Sequence, residues 1–271
     1  MSIKTDILRV LKGTSRTFAI PIMRLPGKLG ETISVAYLCM RALDEIEDDI
    51  SLENQTKVTL LRKISTALQA HTFSDINSNS KDLEAIFAPY KSTLPEVTLR
   101  LGEWLSNSPI DIAPRILDAS SSIAERMAYW AERKWLIQNE ADLNAYTFSV
   151  AGAVGLLLCD IWAWFDGTQL DRVLAVHFGR GLQSVNILRN REEDLQRRVD
   201  FFPVSWTQKE MIAYARKLLD FVKLNIKAMP VNAYERLVKI PFYLAEATLD
   251  GIEKGQKKLS RAQVLSITGQ G

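Results

Sequence analysis

Cysteine is nearly absent from this 271-residue chain. Its two members, Cys39 and Cys159, lie in the apolar strings Leu38-Cys39-Met40 and Leu158-Cys159-Asp160, with no CxxC and no histidine at ligand spacing. No disulfide framework can be built from them, and they read as small buried hydrophobes suited to a reducing cytoplasm. An excess of charge of one sign is missing too: 34 Lys and Arg face 32 Asp and Glu, a net of +2. That balance gives no support to nucleic-acid partners, which need a clustered basic footprint. Glycine and proline number only 13 and 9, so segments are long, and no alternating run bounded by Asn-Gly or Asp-Gly marks a hairpin. The one long apolar run, 148–165, is interrupted by Asp160 and contains Gly152 and Gly155. This is the pattern of a buried helix packed closely by its neighbours rather than of a lipid-facing span. The start of the chain has no apolar core of a signal peptide and its end carries no membrane anchor, so a cytoplasmic protein with at most peripheral membrane contact is expected. Nothing in the sequence sets an oligomeric state.

What is present is helical periodicity, in a chain that is 47% hydrophobic and 24% charged and so able to bury a sizeable core. The spacing predicts helices over 4–12, 30–47, 54–70, 81–87, 94–105, 112–138, 140–165, 169–197, 207–228 and 231–259. Breaks are expected at 21–26, in the Ser/Asn-rich stretch 71–80, at Pro109, at Asp166-Gly167 and at Phe202-Pro203. None is long enough for a linker, and no repeat is visible. One all-α domain over 1–271 is the simplest reading.

Two helices carry the chemistry. The first ends in Arg41-Ala42-Leu43-Asp44-Glu45-Ile46-Glu47-Asp48-Asp49, where Asp44 and Asp48 sit about 6 Å apart along one helix face. Like charges at that spacing are mutually destabilising, and they crowd a helix C-terminus that favours cations. A hard divalent cation such as Mg²⁺ offsets both costs; a solvated acidic helix end is the alternative. The second helix places Asn186, Asn190 and Asp194 every four residues, with Gln183 a turn earlier. Amide and carboxylate oxygens both ligate hard cations, and a buried Asn186 between Val185 and Ile187 needs partners. Arg16, Arg41 and Arg189 lie beside these stripes, with guanidinium groups suited to phosphate oxygens. Metal and arginine together stabilise the charge of a departing diphosphate. The cation left behind calls for an apolar cavity, for which Phe18, Phe148, Val150, Ala151, Val154, Leu156 and Leu157 are candidates, although a core stripe is the commoner meaning of such residues.

The residues resemble the squalene/phytoene synthase family of head-to-head prenyl synthases. Four blocks carry the likeness in order: Ser15, Arg16, Thr17 and Phe18; Tyr37 and Arg41 through Asp49; Tyr146 with Val150-Ala151-Gly152-Ala153-Val154-Gly155; and Gln183, Asn186, Ile187, Leu188 and Arg189 to Asp194, followed by Phe201-Phe202-Pro203. The second block is worded more like the squalene synthase branch. The resemblance implies a class I isoprenoid synthase helical bundle around a central apolar cavity, Mg²⁺ dependence, and a prenyl diphosphate substrate such as farnesyl diphosphate. It implies Asp44, Asp48, Asn190 and Asp194 as metal ligands, Tyr37 and Tyr146 at the reaction centre, and Ser15, Arg16, Phe18, Arg41, Gln183, Asn186 and Arg189 as substrate-binding residues. NADPH use stays open, because the family binds the nucleotide without a GxGxxG fingerprint.

Two positions depart from the family pattern. The second motif should read DxxxD, but its first position is Asn190, so a metal held there should bind more weakly. An acid is also expected on the helix before Tyr146, where Met127 is followed by Ala128-Tyr129-Trp130 and the next acid is Glu132. The leading expectation is head-to-head coupling of two farnesyl diphosphates to a squalene-type C30 product. The alternatives are ionisation without coupling, by a farnesyl diphosphatase, terpene cyclase or aromatic prenyltransferase, and a non-catalytic prenyl-diphosphate-binding paralogue.

Overall fold

The computed structural model describes residues 3–14, 16–70, 76–226, 233–256 and 258–269, and among them every regular element is helical. They cluster into two compact units. The first takes in Met1–Ala19, Pro26–Trp135 and Leu157–Leu170, the second Ile20–Leu25, Leu136–Leu156 and Asp171–Gly271.

The first unit is organised around α3. Helix α1 covers Ile3–Thr14, α2 begins at Arg16 and runs to Met23, and α3 covers Gly27–Asp48. They are followed by α4 (Asn54–Ala70), α5 (Ile76–Phe87), the short α6 (Glu96–Leu99) and α7 (Leu101–Ser106), and α8 (Ala113–Glu132). Leu38, Cys39, Ala42, Leu43 and Ile46 of α3 expose no surface, each Leu or Ile contributing about 1.5–3 kcal/mol by burial. They face α1, α6, α7 and α8. Where α6 meets this helix, the buried Thr98 hydroxyl donates to the Ala42 carbonyl at 3.0 Å. Helices α4 and α8 pack side by side, with the Ser65 and Ser121 hydroxyls 3.2 Å apart in their seam. Burial raises the thiol pKa of Cys39 well above its ordinary value, which suits the inert role expected of both buried cysteines.

In the second unit, α9 (Glu140–Thr147) runs through a π-helical turn (Phe148–Gly152) into α10 (Ala153–Asp166), whose later turns belong to the first unit. Helices α11 (Arg172–Gln196), α12 (Gln208–Ile226), α13 (Ala233–Glu253) and α14 (Arg261–Thr268) complete it. Helix α11 crosses the π turn at backbone contact. A methyl on Gly155 would lie 2.8 Å from the Ala175 carbonyl carbon, and one on Gly179 would lie 2.8 Å from that of Ala151. Only glycine permits this approach, so these two residues fix how α11 lies against the turn. Among the described residues Glu140–Asp166 is the stretch long and apolar enough to cross a membrane. Its glycines pack as closely as expected, while Val150, Ala151, Val154 and Leu156 stay half-buried. Its interrupting charge, Asp160, accepts from Arg115 of α8 at 2.7 Å within the first unit.

Several boundaries differ from the periodicity. The helix predicted over 112–138 stops at Glu132, because Lys134 and Trp135 take left-handed backbone angles, φ 54° and 51°. The break expected at 21–26 begins later, since α2 carries Pro21 within it and ends two residues on. Residues 76–80, expected to be a break, form the first turns of α5, while 71–75 lie outside the described residues. The segment 94–105 divides into α6 and α7 at Arg100. Helix α14 was not predicted, although Ser260 and Gln263 form a complete capping box at its start.

Candidate active site

The first candidate motif, in the first unit, is one face of α3. At 100° per residue, Tyr37, Arg41, Asp44 and Asp48 fall within about 60° of arc. They form a stripe of half-buried and exposed positions along a helix that is mostly buried elsewhere. Phe18 of α2 meets this stripe, its ring centroid 5.9 Å from that of Tyr37. Arg41 donates to Asp44 at 2.6 Å and to Glu45 at 2.5 Å. The surrounding protein and the neighbouring Asp48 carboxylate push the Asp44 pKa up, with Arg41 opposing them. Its side chain still keeps 39% of its surface open, so a cation has access to it.

One ridge away, Glu47 is 5% exposed and oriented by groups from α4 and from the segment after α8. The Trp135 indole donates to its carboxylate at 2.7 Å, and Lys57 of α4 donates to its backbone carbonyl at 2.6 Å. The Lys57 ammonium lies 5.2 Å from the Trp135 ring centroid. Burial and Asp48 push the Glu47 carboxyl up to about 8. Trp135 reaches this position because of the left-handed hook that ends α8, closed by its backbone N–H to Trp130 at 2.8 Å. Two successive non-glycine residues with positive φ cost about 1–3 kcal/mol each; burial of the indole and its hydrogen bond to Glu47 offset that.

The second candidate motif, in the second unit, is on α11. Gln183, Asn186, Asn190 and Asp194 span about 80° of arc. Arg189 organises the stripe: its Nη2 donates to Asn186 Oδ1 at 2.6 Å and its Nε to Asn190 Oδ1 at 3.1 Å, while Asn190 Nδ2 donates to Asn186 Oδ1 at 3.2 Å. Asp194, its side chain 10% exposed, is paired with Arg197. Arg191 is drawn aside by Asp200 at 2.8 Å and lies 3.7 Å over the Phe202 ring. Tyr146 is buried in a stack with Phe201, centroids 4.7 Å apart.

Sequence reasoning missed two polar groups. One is the Glu47, Lys57 and Trp135 set, of which only Glu47 drew attention. The other ties three helices of the second unit: Asn144 Oδ1 accepts from Tyr214 at 2.7 Å and from Arg180, and Arg180 donates to the Tyr214 hydroxyl at 2.7 Å. Among the expected residues, Ser15 lies outside the described residues and Arg16 opens α2. Glu132, noted as the nearest acid in the Tyr129 region, is held at the surface by Arg62 at 2.8 Å. A cleft of about 670 Å³ on α4 and α5, lined by Val58, Arg62 and Ile86 among others, includes none of the motif residues.

Among the described residues no three His, Cys, Asp or Glu side chains converge as a metal-binding group. Mg²⁺ commonly takes one or two carboxylates and completes its shell with water and phosphate oxygens. The accessible, like-charged pair Asp44 and Asp48 is a donor set of that kind, so the first motif fits the ion. The second does not fit in the same way, because its amide oxygens are neutral and face a guanidinium, and its one carboxylate, Asp194, is 10% exposed where Asp44 is 39%.

This all-helical architecture is that of a class I isoprenoid synthase: the TcSQS complex with BPH1237 superposes with a TM-score of 0.76 at 22% identity, covering 98% of this chain and 85% of that one. A dehydrosqualene synthase complex gives 0.64 at 15% identity, covering 98% and 94%. The squalene/phytoene synthase family profile matches residues 11–212, and the chain belongs to that family. Squalene synthase ERG9 of Saccharomyces cerevisiae is 30% identical over 257 residues, 87% of this chain and 54% of that protein. The Bos taurus squalene synthase is 28% identical over 244 residues, 88% and 54% respectively. The chain thus spans about half the length of the curated relatives it matches.

Proposed function

We propose that this prenyltransferase-type protein couples two farnesyl diphosphates head to head to a squalene-type C30 product. The observation that carries the reading is the α3 stripe, on which Tyr37, Arg41, Asp44 and Asp48 share a face beside Phe18, in a chain whose matched relatives are squalene synthases. Asp44 and Asp48 would hold Mg²⁺, which would supply Lewis-acid stabilisation of the departing diphosphate. Arg41, already on Asp44 and Glu45, keeps that face from accumulating unopposed negative charge and offers donors to phosphate oxygens. The Phe18 and Tyr37 rings present aromatic surface that excludes water and stabilises cationic carbon. Reduction to a squalene-type hydrocarbon requires a hydride, for which NADPH is the proposed donor. We place the protein in the cytoplasm, touching membranes peripherally to deliver an apolar product.

Incubating the purified chain with farnesyl diphosphate and Mg²⁺, with and without NADPH, and analysing the organic extract tests the proposal. A C30 product is expected, and its absence ends the coupling assignment. A second reading, ionisation without coupling, is favoured by one observation: the amide at Asn190 is turned to Arg189. Farnesol, a cyclic C15 product or a prenylated aromatic acceptor in the same extract would establish it. Tight binding of farnesyl diphosphate with no turnover would instead mark a non-catalytic paralogue.

A further inference from the structure

The second motif has the spacing of a metal site and the hydrogen-bonding of an anion site. A cation at this stripe needs oxygen lone pairs, and the two amides that would supply them accept instead from Arg189. Asn190 closes the arrangement by donating its Nδ2 to Asn186, a bond that an ionised aspartate, having no donor, cannot make. The nearby acids are also committed: Asp194 to Arg197, Asp200 to Arg191, and Glu193 to Lys258 at 3.2 Å. Arg189 itself has no carboxylate partner among the described residues, and its Nη1 edge makes no hydrogen bond there while the residue is exposed. A guanidinium braced on one edge by two amides and open on the other is preorganised for phosphate oxygens.

We infer that the second motif takes up no metal: Asn186 and Asn190 are positioning residues that hold Arg189, the diphosphate-binding residue the family likeness implies, so that it meets the diphosphate without an intervening ion, and metal is taken up by the first motif only. The inference deepens the function proposed above and rests on it. It gives Asn190 a role other than the metal ligand expected from the family spacing. Asn190 then does not weaken a metal site; it holds the arginine that stands in for one.

The test needs no turnover. Chelator-treated protein is titrated with inorganic diphosphate in EDTA by calorimetry, and bound Mn²⁺ is counted by electron paramagnetic resonance with diphosphate present. Saturable binding in EDTA is expected, weakened at least tenfold in Arg189→Gln and changed less than threefold in Asp48→Asn. Asn190→Asp is expected to weaken metal-free binding and to bind more Mn²⁺ than the wild type. A non-cleavable farnesyl thiolodiphosphate run alongside separates sources: loss with both probes places the substrate's diphosphate at Arg189, loss with inorganic diphosphate alone places the released product there. Absence of metal-free binding by the wild type, an unchanged affinity in Arg189→Gln, or equal Mn²⁺ counts in wild type and a folded Asn190→Asp overturns the inference. Should Asn190→Asp fail to fold, the wild-type and Arg189→Gln titrations decide alone. Product formation without metal-free diphosphate binding would remove this inference and leave the proposed function intact; the reverse pattern would remove the catalytic reading.

Discussion

On α3 the acids Asp44, Glu45, Glu47 and Asp48 crowd one end of a helix, and the cations described near them are Arg41 and Lys57. On α11 the same four-residue spacing is occupied by two amides and one carboxylate, and Asp194, Glu193 and Asp200 each have a cation. The first stretch pushes carboxyl pKa values upward, at Asp44 and Glu47, first because burial strips water from them and then because Asp48 lies close by. The second leaves Arg189 over. Spacing places side chains on a face; whether that face attracts a cation or an anion depends on which groups remain without an opposite charge.

The largest expected effect breaks the comparison on the α3 side. Asp48→Asn should lower diphosphate release from farnesyl diphosphate by roughly 10³-fold or more, about 4 kcal/mol of transition-state stabilisation, in a coupled phosphate assay with the fold verified by circular dichroism. Turnover like that of the wild type would detach the metal from this stripe. The crossing that positions α11 is next. Gly179→Ala puts a methyl against the Ala151 carbonyl and should destabilise the protein by about 1–3 kcal/mol, read as a lower denaturant midpoint. If stability is unchanged, the crossing is looser than backbone contact.

Trp135→Phe sharpens the comparison within α3. It keeps most of the buried ring but leaves the Glu47 carboxylate without its indole donor, at a cost of about 1–3 kcal/mol. The effect should exceed that of Tyr214→Phe, which leaves Asn144 its Arg180 partner and should cost about 1 kcal/mol. A reversed order in urea melts would mean that the indole fills space rather than orienting the acid. The smallest effect concerns charges outside both motifs. Asp6 and Glu96 are held below their ordinary values, Asp6 first by Arg100 and Glu96 first by Arg9. Folded pKa values below the unfolded ones contribute stability that is present above about pH 4 and lost as pH falls through the depressed values. Because the Arg9–Glu96 pair is exposed and the Asp6–Arg100 pair only half-buried, melting curves from pH 7 to pH 3 should show a small decline that 1 M salt further reduces. An equal decline in Arg100→Gln would assign it to other groups.

The helices and the motif faces were legible because both follow from residue spacing. Helix α4 was predicted over its observed span, 54–70, and Asp44 and Asp48 do share a face. The hook after α8 was not legible: Trp135, Leu136 and Ile137 continue an apolar pattern, and no glycine announces the left-handed angles that end the helix. Tertiary anchoring of the indole, rather than local preference, sets that turn. The α5 start in a Ser/Asn-rich stretch also departs from local preference. The Asn190 arrangement was half-legible. The missing carboxylate was visible in the sequence, but that Asn190 and Arg189 are partners depends on rotamers that spacing does not specify.

The contact between Trp135 and Glu47 joins residues 88 apart in the chain. A fragment ending before position 135 would therefore contain every acid of the first motif and lack the donor that orients one of them. The acidic cluster is read from nine consecutive residues, but its hydrogen-bonded form needs a residue from the middle of the chain, where the segment after α8 folds back onto α3.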